Sequence, residues 1–183
     1  MKYASLILIP LLTFSFSTPP VFAMDLKSEI RGGSYCKKKI FNRFKTIEQT
    51  QHKLLKFQPK RELMSLVEQM EIMCPWSIQR DFNGDKIEDW VGFAKTGTKF
   101  ELVAYMSKGR DYSIQVLKTL DNLPNTQFLR WMQTRFLKNY SDKKLNIGNS
   151  QYALQVTKIK DSTEIYLWDG KGLSKILTTP EMF

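Results

Sequence analysis

The sequence predicts an α+β domain, an N-terminal disulfide-linked helical hairpin packed on a small antiparallel sheet with one further helix. Three observations predict it. Apolar residues recur at helical spacing up to about residue 73, the period changes to two beyond about residue 90, and Gly-containing turns then separate short runs rich in β-branched and aromatic side chains. No alternation of strands with long helices appears, so a parallel sheet is not expected. The chain has 183 residues, of which 42% are hydrophobic and 13% aromatic, enough apolar surface for a core of ordinary size.

The first 23 residues are expected to be removed. Lys2 supplies a positive start, Leu6 to Leu12 an apolar stretch, and Val21 with Ala23 the small residues of a leader-peptidase site, which places cleavage before Met24. The apolar run is shorter than the roughly 20 residues a membrane span needs and is broken at Pro19-Pro20. The expectation is a signal peptide over 1–23 and a single domain over 24–183, exported to the periplasm or secreted, with no transmembrane span after signal removal.

Each element of the hairpin follows from spacing. Cys36, Ile40, Phe44, Ile47 and Leu54 mark the first helix; Pro59 suits the first position of a second, whose apolar face is Leu63, Leu66, Val67, Met70 and Met73. The second helix is expected to stop at Cys74-Pro75. Antiparallel packing then brings Cys36 beside Cys74, and an even cysteine count in an oxidising compartment makes them a disulfide pair. Closing a loop of roughly 40 residues is worth about 4 kcal/mol as an upper figure.

Beyond the hairpin, strands are expected at 90–94, 99–106 and 112–120, joined by turns containing Gly97 and Gly109. Phe128, Trp131, Met132 and Phe136 mark one face of a third helix ending near Tyr140. Strands at 152–159, 164–168 and 173–178 complete the pattern, the last two turning over Asp169-Gly170-Lys171-Gly172.

One segment carries chemistry: Asp81-Phe82-Asn83-Gly84-Asp85-Lys86-Ile87-Glu88-Asp89-Trp90. Asp81, Asn83, Asp85, the carbonyl of Ile87 and Asp89 stand at positions 1, 3, 5, 7 and 9, the alternation by which a curled loop wraps oxygens around a hard cation such as calcium. Position 12 is Gly92 and the exit is a strand, so the loop is not an EF-hand. The alternative is an Asx-type turn that leads into the strand without an ion.

The segment resembles the Asp-x-Asn-Gly-Asp-Gly-x-x-Asp loops of FG-GAP and VCBS repeats, over about a dozen residues. The resemblance implies calcium as cofactor, with ligand roles on Asp81, Asn83, Asp85 and Asp89, and extracellular binding as the setting. At position six, usually Gly in those repeats, this chain has Lys86. The whole chain is similar to small exported bacterial proteins without an assigned activity.

Charge and single residues narrow the function. Lys and Arg number 28 against 18 Asp and Glu, a formal charge of +10. Lys37, Lys38, Lys39, Arg43, Lys45, Lys53, Lys56, Lys60 and Arg61 lie in the expected hairpin, with Arg130 and Arg135 on the third helix. An acidic macromolecule is the partner such a surface suits, the alternative being a solvated helix face, since the lysines are spread around the first helix; no nucleic-acid motif accompanies them. With His52 the one histidine, multi-His metal sites are excluded, and His52 is expected on the surface of the first helix. Trp90 and Trp131 fall in phase with the core. The sequence nominates no catalytic residue; the expectation is a non-enzymatic binding domain that contacts an acidic macromolecule, with calcium at Asp81–Asp89 as its candidate stabilising ion and inhibitor or immunity-type proteins among the candidates. The rival is an envelope-polymer hydrolase using Asp81, Asp85 and Glu88.

Overall fold

The computed structural model describes residues 51–55, 58–109, 111–139 and 150–180. Cys36, the basic run 37–45, Lys56 and the 1–23 segment lie outside the described residues, as does most of the expected first helix.

Two antiparallel sheets make up the fold, which corrects the α+β expectation. The first combines β1 (Lys53–Leu54), β2 (Ser77–Arg80), β3 (Asp89–Thr96), β4 (Lys99–Lys108) and β5 (Asp111–Leu120); β1 and β2 lie end to end along one edge of β3, followed by β4 and β5. The second runs in chain order, β6 (Gln127–Gln133), β7 (Tyr152–Lys158), β8 (Ser162–Trp168) and β9 (Leu173–Pro180). β3–β4–β5 and β7–β8–β9 run as meanders, their short turns joining antiparallel neighbours, whereas β6 pairs with β7 across the longer connection at 134–151. The six strands expected at 90–120 and 152–178 are all present, with limits shifted by a few residues at most.

The sheets stack. Val91, Phe93, Leu102, Ala104 and Met106 of the first pack with Leu129, Leu154, Val156, Tyr166 and Leu173 of the second in one buried cluster. Trp90, Ala94, Val103 and Tyr105 form a second cluster on the opposite face of the first sheet. This two-sided burial explains why the middle of β3 is apolar at every position rather than at alternate ones.

The expected third helix is strand β6, followed by a 3-10 helix at Thr134–Asn139. Phe128 and Leu129 are both fully buried, Leu129 between the sheets and Phe128 under the one α-helix among the described residues. A strand covered on both faces places apolar residues at adjacent positions, and 128, 129, 131 and 132 thereby imitate helical spacing.

That helix, α1 (Arg61–Gln69), is the expected second member of the hairpin. Leu63 and Val67 are fully buried against Phe128, worth roughly 1.5–3 kcal/mol each. It ends before Cys74 because Glu71 takes a left-handed conformation at φ 54°. Glu71 N–H then donates to the Glu68 carbonyl and Ile72 N–H to that of Val67, closing the helix, while Ile72 packs in the same cluster as Val67.

His52 is a further correction. It is buried at the start of β1, with Nδ1 3.0 Å from the Tyr105 hydroxyl and Nε2 3.6 Å from Glu101, whose Oε2 accepts from Thr96 Oγ1 at 2.6 Å. Trp90 is buried as expected, whereas Trp131 is 40% exposed.

The β8–β9 turn supplies an acid-sensitive contact. Asp169 accepts from Ser174 Oγ and from the N–H groups of Lys171 and Gly172, which together pull its carboxyl from 3.8 down to about 2. A carboxyl whose folded value is depressed favours the folded state when ionised; that contribution is present above the unfolded value and is lost as pH falls towards the folded one. Thermal melts of wild type and Asp169→Asn are expected to differ at pH 5 and to converge as the pH approaches 2.

Candidate functional site

The segment with the alternating oxygens joins β2 to β3, which pair from Arg80–Asp89 to Ser77–Gly92. Phe82, second in the loop, is fully buried in the cluster between the sheets and anchors the connection there. Gly84 at φ 82° and Lys86 at φ 70° curl the rest. Lys86 can hold that left-handed conformation, disfavoured for a side chain by about 1–2 kcal/mol, because it aims its N–H at Asp81 Oδ2, 2.8 Å away.

All seven expected side-chain oxygens accept hydrogen bonds. Asp81 Oδ1 accepts from the N–H groups of Gly84 (2.6 Å) and Asp85 (3.1 Å), Asn83 Oδ1 from Asp85 N–H (3.0 Å) and Asp85 Oδ1 from Ile87 N–H (2.8 Å). Asp89 Oδ2 accepts from Phe82 N–H (2.7 Å) and Asn83 N–H (3.2 Å), and its Oδ1 from Ser107 N–H (2.7 Å). The Ser107 hydroxyl, near the end of β4, is 2.7 Å from Asp85 Oδ2 and 2.8 Å from Asp89 Oδ1, and the Asn83 amide nitrogen is 3.0 Å from that hydroxyl. Asp89 is fully buried, and burial raises its carboxyl pKa above the ordinary value, the four donors offsetting this only in part.

Asn83, Asp85 and Asp89 are thus brought together, but around Ser107; Asp81 turns instead to the N–H groups of residues 84–86. For a calcium ion the set fits poorly. Asn83 cannot turn its oxygen inward without setting its NH2 group against the Asp85 N–H, and among the described residues no group of three or more His, Cys, Asp or Glu is disposed to hold a metal. Ser107 carried no signal in the sequence, since it lies in another strand and outside any spacing pattern.

Immediately before the loop stands Arg80, which sequence reasoning also missed. Its guanidinium carbon sits 4.5 Å from the Trp131 ring centroid and 5.9 Å from that of Tyr152. The two rings meet edge to face at 5.3 Å. Nη1 donates to the Gln79 carbonyl at 2.9 Å, and among the described residues no carboxylate pairs with the guanidinium. Tyr152 and Trp131 belong to the second sheet and Arg80 to the first, so this platform crosses the seam between them. Of the basic residues read from the sequence, Lys53, Lys60, Arg61 and Arg135 are exposed, and Arg130 is half-buried on β6.

No protein-family model matches the chain, and neither the curated proteins nor the solved structures contain a match to it. Among the described residues no helix is long and apolar enough to cross a membrane.

Proposed function

We propose that the chain is an exported, non-enzymatic binding domain that engages an acidic macromolecule, with Arg80 on its Trp131–Tyr152 platform as the central contact. The observation that carries this reading is a guanidinium held against two aromatic rings, with no carboxylate partner among the described residues. Stacking restrains the side chain before binding, so less conformational entropy is lost when a carboxylate or similar anion takes its remaining N–H groups. Arg, Trp and Tyr are also the residue types that dominate binding energy at protein interfaces. The +10 formal charge favours encounter with an acidic surface. An inhibitor or immunity-type protein fits this reading, since such a protein acts by covering a partner's surface.

The hydrolase alternative draws less support. Asp81 and Asp85, two of its carboxylates, are engaged by loop N–H groups that hold them as turn-forming acceptors.

The test is retention of the purified protein on immobilised poly-L-glutamate, eluted with a salt gradient. Arg80→Ala and Trp131→Ala are expected to elute at clearly lower salt than wild type. Lys160→Ala, which removes the same charge from an exposed turn, sets the background for nonspecific attraction. Flow-through of the wild type at low salt, or co-elution of Arg80→Ala with Lys160→Ala, would overturn the proposal.

A further inference from the structure

The geometry points to a loop over residues 81–89 that is closed by the Ser107 hydroxyl and the Asn83 amide in place of a cation. A calcium loop needs several oxygens turned towards one common point. Here the two carboxylate oxygens that approach each other, Asp85 Oδ2 and Asp89 Oδ1, share the Ser107 hydroxyl at 2.7 and 2.8 Å. The hydroxyl proton serves one of them at a time, while its oxygen accepts from Asn83 Nδ2 at 3.0 Å. The same nitrogen lies 3.0 Å from the Ser107 carbonyl and 3.3 Å from Asp85 Oδ2.

Hydrogen-bond donors therefore occupy the space an ion would take, and the Asn83 orientation is locked from behind by Asp85 N–H on its oxygen. An ion entering there would have to displace an NH2 group and a hydroxyl and turn Asn83 against that N–H. Lys86, in place of the usual Gly, adds a positive charge to the same loop and further lowers the need for a cation. The reading makes β4 part of the loop: Ser107 ties its closed end to the sheet across 18 residues of sequence to Asp89.

Thermal unfolding of the full protein decides the matter. In excess EGTA and then in millimolar calcium, the wild-type melting temperature is expected to agree within about 1 °C, because an ion without preferential affinity for the native state adds no stability. Ser107→Ala is expected to melt about 3–6 °C lower in both conditions, the scale of one or two lost buried hydrogen bonds in a chain of this size. Ser107→Thr keeps the hydroxyl and is expected to retain most of the wild-type melting temperature, which covers the case in which the alanine variant fails to fold. A calcium-induced rise of several degrees in wild type would overturn the inference, as would a Ser107→Ala variant that melts with wild type.

Discussion

Alanine at position 89 is expected to destabilise the protein by about 3–4 kcal/mol, among the largest effects of any single substitution in this fold. Asp89 is fully buried and accepts from the N–H groups of Phe82, Asn83 and Ser107 and from the Ser107 hydroxyl. A methyl group leaves three backbone donors without their acceptor, and the buried ones, of Phe82 and Ser107, lose it away from water at about 1–3 kcal/mol each. Relief of burying a carboxylate, whose cost is visible in the raised pKa, returns part of that. Asp89→Asn keeps one acceptor oxygen and is expected to lose about half as much. Urea unfolding at neutral pH measures both; an Asp89→Ala cost below about 1 kcal/mol would show that the loop N–H groups find other acceptors, or water, at little expense.

Gly92→Ala is the second large effect, at about 3 kcal/mol, and its cause is steric. A Cβ at this position would lie 2.2 Å from Trp90 Cζ2, 2.6 Å from Cη2 and 2.9 Å from the Trp76 carbonyl oxygen. Neither neighbour can withdraw cheaply. The Trp90 ring is fully buried and meets Tyr105 edge to face at 5.5 Å, and the Trp76 carbonyl accepts the Phe93 N–H at 3.0 Å. Because the clash is chiefly with the indole, Trp90→Leu in the same chain is expected to recover part of the loss: the double variant should be more stable than the sum of the two single losses implies. Additive losses in urea unfolding would place the strain on the backbone contact with Trp76 instead.

Much of the sheet structure was legible in the sequence, because hairpin strands announce themselves through alternation and Gly-containing turns; the runs at 99–106 and 112–120 became β4 and β5. β6 was not legible as a strand. Its neighbours on both faces, α1 outside and the first sheet inside, make Phe128 and Leu129 buried together, and period alone cannot separate that pattern from a helix. Helical spacing around Cys36 to Leu54 likewise missed the two-residue strand Lys53–Leu54, which exists only because β3 offers it an edge. In the loop, the oxygen-bearing positions were readable as a set, but their destination was set by Ser107 and by the N–H groups of residues 82–87, which no spacing rule names. Trp131 shows the same limit: it lies in phase with Leu129, yet at the rim of the seam it meets Arg80 and solvent rather than the interior.

The arrangement of the two sheets bears on how the binding platform comes into being during folding. Within each sheet nearly every ladder joins strands that are consecutive in the chain, so pairing needs little loop closure and can proceed separately in the two halves. Only the short connection at 121–126 links β5 to β6, and the docking of one half on the other is a distinct event that brings residues distant in sequence together. Arg80 comes from one half, and Trp131 with Tyr152 from the other. The stacked guanidinium therefore exists only in chains that have completed docking, and a half-formed intermediate, however well its own strands are zipped, presents no such recognition surface to an acidic partner.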